Sequence, residues 1–328
     1  MTLRVAMPIV VVAGLSTACV GDATEGEAPA ADTTNLEIPE DQRIRTADPL
    51  ARGYTEADFP RVQEIAPDVY TYEQLRSAGD ELFTTVSLFV VTADGVLVAD
   101  GQGSPEETER LVAHIGEVTD QPIRTVVVAS DHGDHTGGNT AFPEGVDYIA
   151  HPASAAALER MEGVPPATDT VSERRVLRMG DTEIHVLHLG RAHTGGDLVV
   201  HLPDEKVLFM SEAYLHRIFP AMRSAYPSEW VEMIEAAQAM DVDVYVPGHG
   251  FVDHPRILEE ELEIFQGAIR LVIDQARQLY EEGYSVEDAQ QQAFFGDLEE
   301  WSLRESQGDR AIARAYAEIE GTLPEGGR

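Results

Sequence analysis

Four times in this chain a strand-like apolar run breaks off into a short segment that carries histidine or a carboxylate, and this recurrence constrains the fold more than any other feature. Ile123–Ala129 is an apolar run of the kind found in a buried strand, and it ends in Ser130-Asp131-His132-Gly133-Asp134-His135-Thr136-Gly137-Gly138-Asn139. Glu183–Leu189 leads into Gly190-Arg191-Ala192-His193-Thr194-Gly195-Gly196-Asp197. Val207–Met210 leads into Ser211-Glu212, and Val242–Val246 into Pro247-Gly248-His249-Gly250. Polar side chains at strand ends are exposed by loops on a rigid scaffold, and the glycines allow the tight turns that bring distant segments together.

The rest of the chain supplies the frame. Strands are expected at Val69–Tyr72, Leu82–Val91 and Gly95–Asp100, the last two separated by a turn at Ala93-Asp94-Gly95, and again at Asp147–Ala150 and Leu198–Leu202. Pro105–Gly116 reads as a helix with Ser104 as its N-cap, and a second helix runs from Ser228 to Met240. From about residue 253 the text is helical: Leu258, Leu262, Phe265, Ile269, Val272, Ala276 and Tyr280 recur at helical spacing and form one apolar stripe. Two strand-rich halves with helices between and after them imply sheet-on-sheet packing with helical outer layers.

Composition sets what the frame is not. The 328 residues are 43% apolar, enough for a full core, which excludes a disordered acidic chain and a disulfide-stapled miniprotein. The 59 acidic against 23 basic residues give a net charge of −36, which opposes phosphate backbones and anionic headgroups and so excludes a general nucleic-acid or polybasic membrane binder. Cys19 has no second cysteine to pair with. It follows Arg4, an apolar stretch Val5–Leu15 too short to span a bilayer, and the small run Ser16-Thr17-Ala18. Residues 1–18 therefore read as an export signal peptide. The small residues before Cys19 resemble a lipobox, which makes Cys19 the lipidated first residue of a periplasmic or cell-surface lipoprotein. Ser16 stands where Leu is usual, and ordinary secretion is the alternative. Residues 19–50 read as an acidic flexible tether and residues 51–328 as the folded domain. That domain carries −31 once Arg4 and the −6 of residues 20–50 are set aside.

Neutral imidazoles and carboxylates suit zinc, and a catalytic zinc site keeps a position open. The four segments, in this order and after these strands, resemble the metallo-β-lactamase-fold hydrolase superfamily. Its signature is a His-x-His-x-Asp-His loop, a single His, an acid or cysteine, and a last His in a Gly-His-Gly-like loop. The resemblance covers about residues 62–280 and implies an α+β fold, the four-layer αββα sandwich, and a metal-dependent hydrolase. Position by position, it implies that His132 and His193 hold a first metal and that Asp134, His135 and His249 hold a second. Glu212 stands where an acid or cysteine bridges or completes the second site. The implied cofactor is one or two Zn2+ ions, with other divalent metals accepted by such ligands. Asp134 is then the catalytic residue, a ligand that also handles a proton. The implied reaction is hydrolysis of an ester, thioester, lactone or amide-like bond in a small-molecule substrate. The Arg-Ala-His-Thr-Gly-Gly-Asp text looks like the general hydrolase, glyoxalase II-like branch. A class B-like β-lactamase is the alternative, and a catalytically degenerate metal-binding lipoprotein a second.

Ser130 departs from the signature, standing where the loop's first histidine belongs, and a hydroxyl is a poor zinc ligand beside an imidazole. Three consequences are open: an asymmetric or one-metal enzyme, a two-metal site in which Asp131 or Glu212 supplies the missing ligand, or a non-catalytic relative. His114, His185, His188 and His201 fall inside helix or strand text and read as structural, as does His151, while His254 reads as a helix cap. Tyr214–Tyr226 mixes aromatics, a histidine and two arginines without periodicity and reads as a substrate-facing loop. Its expected contacts are His216, Arg217, Arg223 and Tyr226, with Arg217 or Arg223 gripping a substrate carboxylate.

Overall fold

The computed structural model describes residues 38–324. The expected export signal, Cys19 and residues 19–37 of the expected tether lie outside the described residues. In chain order, the first half runs β1 (Arg61–Ala66), β2 (Val69–Ala78), β3 (Glu81–Thr92), β4 (Gly95–Ala99), α1 (Pro105–Val118), β5 (Ile123–Val128), α2 (Gly133–Thr136), β6 (Asp147–Ala150), α3 (Pro152–Leu158) and β7 (Asp169–Thr170). The second half runs β8 (Arg174–Met179), β9 (Thr182–Leu187), β10 (Val199–Leu202), β11 (Val207–Leu215), α4 (Pro227–Gln238) and β12 (Val244–His249). Three helices follow, α5 (Pro255–Glu281), α6 (Val286–Gln292) and α7 (Arg304–Ile319).

The strand order is β7-β6-β5-β4-β3 followed by β12-β11-β10-β9-β8, with β2 and β1 added beside β3. The two halves join where His249 of β12 pairs with Thr85 of β3. Strands β4 to β7 pair in parallel, as do β11 and β12. Period-2 alternation builds the layers. On β4 and β5, Val96, Val98, Val126 and Val128 pack with Leu111 and Ile115 of α1 in one apolar cluster. Their neighbours Leu97, Ala99, Val127 and Ala129 join a second cluster with β9, β10, β11 and the helices α4, α5 and α7. This is the expected α+β sandwich, with sheet against sheet and helices outside. Among the described residues, no helix is long and apolar enough to cross a membrane.

Local chemistry accounts for the principal helices. Ser104 caps α1 by accepting a hydrogen bond from the Glu107 N–H at 3.3 Å, with Pro105 in the first turn. His254 caps α5 in the same way, accepting from the Arg256 N–H at 3.3 Å. The α5 stripe is buried from Leu258 to Ala276, while Tyr280, expected to continue it, is 40% exposed and packs edge-on against Tyr316.

Two expectations need correction, and two strands were not foreseen. Residues 38–50 are not tether: Ala47 is fully buried, and Gln42 Oε1 accepts from the His254 N–H at 2.8 Å. A few residues further on, Arg52 grips Asp253 with two hydrogen bonds of 2.8 and 2.9 Å, both side chains being buried. Acid-rich text is ordered here because its partners sit about 200 positions away, on the turn after β12. Glu212 lies inside β11 instead of after it, since β11 continues to Leu215 with every residue buried. Lastly, β1 and β8 were not anticipated: β1 is half-buried without clean alternation, and β8, Arg-Arg-Val-Leu-Arg-Met, is a charged strand at the end of the order, where polar side chains reach water.

Candidate metal centre

The ends of β4 and β5 and the middle of β11 meet at one buried carboxylate, Asp100. Its Oδ1 accepts from the N–H groups of Ala129 at 2.7 Å and Ser130 at 3.3 Å, and its Oδ2 accepts from the Ser211 hydroxyl. Asp100 and Ser211 both carry left-handed backbone, φ 60° and 48°, an unusual conformation for residues other than glycine. At Ser211 the β11 register shifts, which turns the following Glu212 inward. Gly248 lets β12 approach this point: a Cβ there would lie 2.4 Å from the Ser211 carbonyl carbon and 2.7 Å from the Glu212 nitrogen. Gly250, at φ 87°, does the same on the other side of His249, where a Cβ would lie 2.2 Å from the His216 carbonyl oxygen. The Pro-Gly-His-Gly text is thus two close backbone approaches flanking one imidazole. His193 is held differently. Asp197 accepts from the Thr194 N–H at 2.6 Å and its hydroxyl at 2.8 Å, closing the loop, and Trp230 meets the His193 ring edge-on with centroids 5.2 Å apart.

These elements bring six of the expected residues into two adjoining groups that share Glu212. One comprises His132, His193 and Glu212; the other comprises Asp134, His135, Glu212 and His249. In the first, His132 Nδ1 stands 3.1 Å from His193 Nε2 and 2.8 Å from Glu212 Oε2, and His193 Nε2 stands 3.2 Å from Glu212 Oε1. In the second, His249 Nε2 stands 3.2 Å from His135 Nε2, 3.1 Å from Asp134 Oδ2 and 3.4 Å from Glu212 Oε1. A tetrahedral ion about 2.0–2.1 Å from each ligand sets its ligand atoms about 3.3 Å apart, so both groups fit a divalent ion. One remaining ring nitrogen is hydrogen-bonded: His249 Nδ1 donates to the Thr84 carbonyl at 2.9 Å. His135 Nδ1 lies 3.1 Å from Asp100 Oδ2, a buried carboxylate beside the ring. Ser130 enters neither group: its hydroxyl donates to Glu212 Oε2 and accepts from the His132 N–H at 3.3 Å. Asp131, the other expected substitute, is also in neither group.

The electrostatics favour positive charge. Burial alone would lower the His132 pKa, yet the Glu212 carboxylate outweighs it and, with Asp131 and Asp134, pushes it up to about 9. Burial opposes His249 too, but its contacts with Asp134 and Glu212 push it up to about 10. Against burial, which raises both acids, His249 and His135 hold Asp134 below the usual carboxylate range, and His132 and His193 hold Glu212 well below it. Two divalent ions held here would bring +4 against the −2 of the two carboxylates, a positive balance that would attract a nucleophile and a substrate oxygen.

A cleft of about 160 Å³ opens onto these ligands, with Phe83, Leu215 and Ile218 among its apolar walls and Arg223, Gln307 and Arg310 among its polar ones. Of the expected substrate contacts, only Arg223 lines it. His216 is buried away from it, its Nδ1 donating to the Phe251 carbonyl at 2.7 Å, and burial lowers its pKa. Arg217 turns to α5, donating to Glu261 Oε1 at 2.7 Å. Tyr226 lies beneath Arg191, whose Cζ is 4.0 Å from the tyrosine ring centroid, and its hydroxyl donates to the Pro324 carbonyl at 2.8 Å. These three corrections share a cause: buried or acidic partners distant in sequence took side chains that the local text left free. His151 caps α3, accepting from the Ala153 N–H at 3.2 Å. Asp100 was missed altogether; its signal is an acid that ends the apolar run Val96–Ala99.

A family profile described as the metallo-beta-lactamase superfamily matches residues 80–249. The 2,4-dinitroanisole O-demethylase subunit alpha of Nocardioides sp. (strain JS1661) is 26% identical over 207 residues, 60% of this chain and 62% of that protein. This chain therefore matches less than two thirds of that relative's length. A metallo-beta-lactamase type 2 of Bacillus sp. (strain 170) is 22% identical over 210 residues, 62% of this chain and 82% of that one. Among solved structures, a metallo-beta-lactamase from Pontibacter korlensis aligns with a TM-score of 0.57 at 23% identity, covering 63% of this chain and 98% of that one, a likeness of fold.

Proposed function

The chain belongs to the metallo-β-lactamase superfamily of metal-dependent hydrolases, and from that premise we propose an exported zinc hydrolase whose two ions share Glu212, acting on an ester, thioester, lactone or amide-like bond. The observation that carries this reading is the presence of the Glu212 carboxylate in both ligand groups at ligand-edge distances. Glu212 then completes the first site with His132 and His193, filling the place left by Ser130. The Ser130 hydroxyl fixes the carboxylate instead of touching an ion.

Bound zinc would supply Lewis acidity, making water nucleophilic near neutral pH and polarising the scissile carbonyl. The chain's own residues do the rest. Asp134 is the most exposed of the acidic ligands, its side chain 27% accessible, and it faces the cleft. One of its oxygens meets His249, leaving the other to accept a proton from the attacking water. Phe83, Leu215 and Ile218 exclude bulk water on one side of the scissile bond.

The test is metal stoichiometry together with an anomalous-scattering map. Two peaks flanking Glu212 and turnover of chromogenic ester, thioester, lactone or lactam substrates are the expected result. One peak refutes the shared carboxylate, and no metal with no turnover after zinc addition refutes the enzyme. The names of the Bacillus relative and the Pontibacter structure favour β-lactam hydrolysis as a second reading, which faster turnover of the lactam would support. Export and lipidation at Cys19 rest on residues 1–19. Cys19→Ala should release the protein from the membrane fraction, and unchanged partitioning counts against the anchor.

A further inference from the structure

Two stretches outside the family profile meet beside its last residue: the chain before residue 80 and the turn after His249. His249 ends β12, and its pairing with Thr85 is the only rung of ladder between β12 and β3. Gly250, at φ 87°, then takes the backbone out of the strand into Phe251, Val252 and Asp253, all buried. Side chains from the start of the described chain close over this turn. Arg52 donates to both Asp253 oxygens, at 2.8 and 2.9 Å, and from its Nε to the Thr46 carbonyl at 2.9 Å, so every guanidinium nitrogen is committed. Its Cζ lies 4.1 Å from the centroid of the Phe251 ring, on which Tyr54 also stacks with centroids 5.4 Å apart. Gln42 accepts from the His254 N–H at 2.8 Å.

None of these groups lines the cleft over the metal ligands. The Arg52 and Asp253 side chains are 0% and 1% exposed, and a buried ion pair adds little net stability over apolar side chains of the same volume, so stability alone does not account for it. What the contacts do fix is the backbone next to His249. One glycine separates His249 from Phe251, and that glycine is wedged against His216, where a Cβ would lie 2.2 Å from the carbonyl oxygen. The His216 N–H donates to the His249 carbonyl at 3.0 Å and its Nδ1 to the Phe251 carbonyl at 2.7 Å, so the turn and His249 are tied into one piece. The His249 ring in turn presents Nε2 to Asp134 at 3.1 Å and to His135 at 3.2 Å.

We infer that residues 38–60 are a clasp that fixes His249 for the ion it shares with Asp134 and His135, with Arg52 as the positioning residue. The clasp acts through the turn and touches neither ion nor substrate. Its role toward the ion rests on the two-ion reading proposed above; the fixing of the turn rests on the contacts alone.

R52M/D253L replaces the ion pair by apolar side chains of similar size, an exchange that buried pairs often tolerate without loss of stability. Y54L thins the stack on Phe251 and leaves the pair intact, which keeps the test open where R52M/D253L does not fold. Competition against a chromophoric zinc chelator should show the ion of Asp134, His135 and His249 weakened about 5- to 10-fold in either variant, less than for loss of a direct outer partner, with the ion of His132 and His193 changed by less than about 2-fold. R52K, which keeps the charge and loses one of the two bonds to Asp253, should fall between native and R52M/D253L. L111A opens a cavity among the residues packed on α1, lowering stability away from the clasp, and should leave both binding steps unchanged. A native-like isotherm in R52M/D253L and Y54L, equal loss in both steps, or the same selective loss in L111A overturns the clasp. Hydrogen exchange on the metal-free proteins should show residues 250–254 exchanging about 10-fold faster in R52M/D253L, with residues 130–136 unchanged. A native protein that takes up no divalent ion refutes the two-ion reading; faster exchange at residues 250–254 then upholds the fixing of the turn, and unchanged exchange overturns it.

Discussion

Asp100→Asn tests how the outer shell governs the second ion. In the native protein one carboxylate oxygen accepts from two backbone N–H groups, at 2.7 and 3.3 Å, and the other faces Ser211 and, at 3.1 Å, His135 Nδ1. The amide keeps the first oxygen and puts an NH2 in place of the second. His135 Nδ1 then faces an amide donor in place of a carboxylate, which disfavours a proton on Nδ1 and favours one on Nε2, the nitrogen that faces His249. Loss of such an outer partner typically costs 10- to 100-fold in metal affinity, about 1.4–2.8 kcal/mol. Competition against a chromophoric zinc chelator resolves the two binding steps. The loss should fall on the ion held by His135, with the His132 and His193 ion changed by less than about 3-fold. An isotherm that overlays the native one, or equal loss in both steps, refutes this assignment. Asp100→Ala is the control for stability: it leaves three buried donors unpaired and should cost about 3–6 kcal/mol.

Ser130→Ala removes the donor that fixes Glu212 and should weaken the His132 and His193 ion about 10-fold in the same competition assay, while Ser130→His should restore or raise its affinity. In chelator, thermal stability should fall as pH rises from 6.5 towards 10. His132 and His249 have folded pKa values raised to about 9 and 10, so their contribution is complete below the unfolded value near 6.5 and is lost as each deprotonates. Asp134 and Glu212, both lowered, contribute above their unfolded values near 4 and lose that contribution as pH falls; a melting temperature in chelator that is flat from pH 6.5 to 10 refutes this balance. Arg52→Ala strands the buried Asp253 carboxylate and should cost about 3–5 kcal/mol in urea unfolding; a loss below 1 kcal/mol means that residues 38–60 are not part of the cooperative unit.

What the sequence made readable was whatever is local. His132, Asp134 and His135 lie within four residues of one another at a strand end, and His193 and His249 sit in glycine-rich loops, so spacing and residue type pointed to them without any tertiary information. The role of Ser130 was not readable, because its partner Glu212 is 82 positions away and meets it only after β11 docks beside the loop. Residues 38–50 have the composition of a linker, and what orders this part of the chain is a set of contacts with the turn after β12, among them Gln42 with His254 and Arg52 with Asp253. The segment after β11 is aperiodic in sequence, and three of its four expected substrate contacts are claimed by distant residues: Phe251, Glu261 and Pro324.

The strand ladder between the two halves of the sheet is a single residue pair, and the six metal-type ligands divide evenly between the halves: His132, Asp134 and His135 from the first, His193, Glu212 and His249 from the second. No ion can meet its full set until residues 132–249 have folded and the seam between the halves has closed. A full ligand set would thus be offered only by the folded chain, and an ion taken up there would be drawn from those present where folding finishes, not where the chain is made. For a chain that folds only after leaving the cell interior, the choice of metal would pass from the ribosome's surroundings to the world outside the membrane.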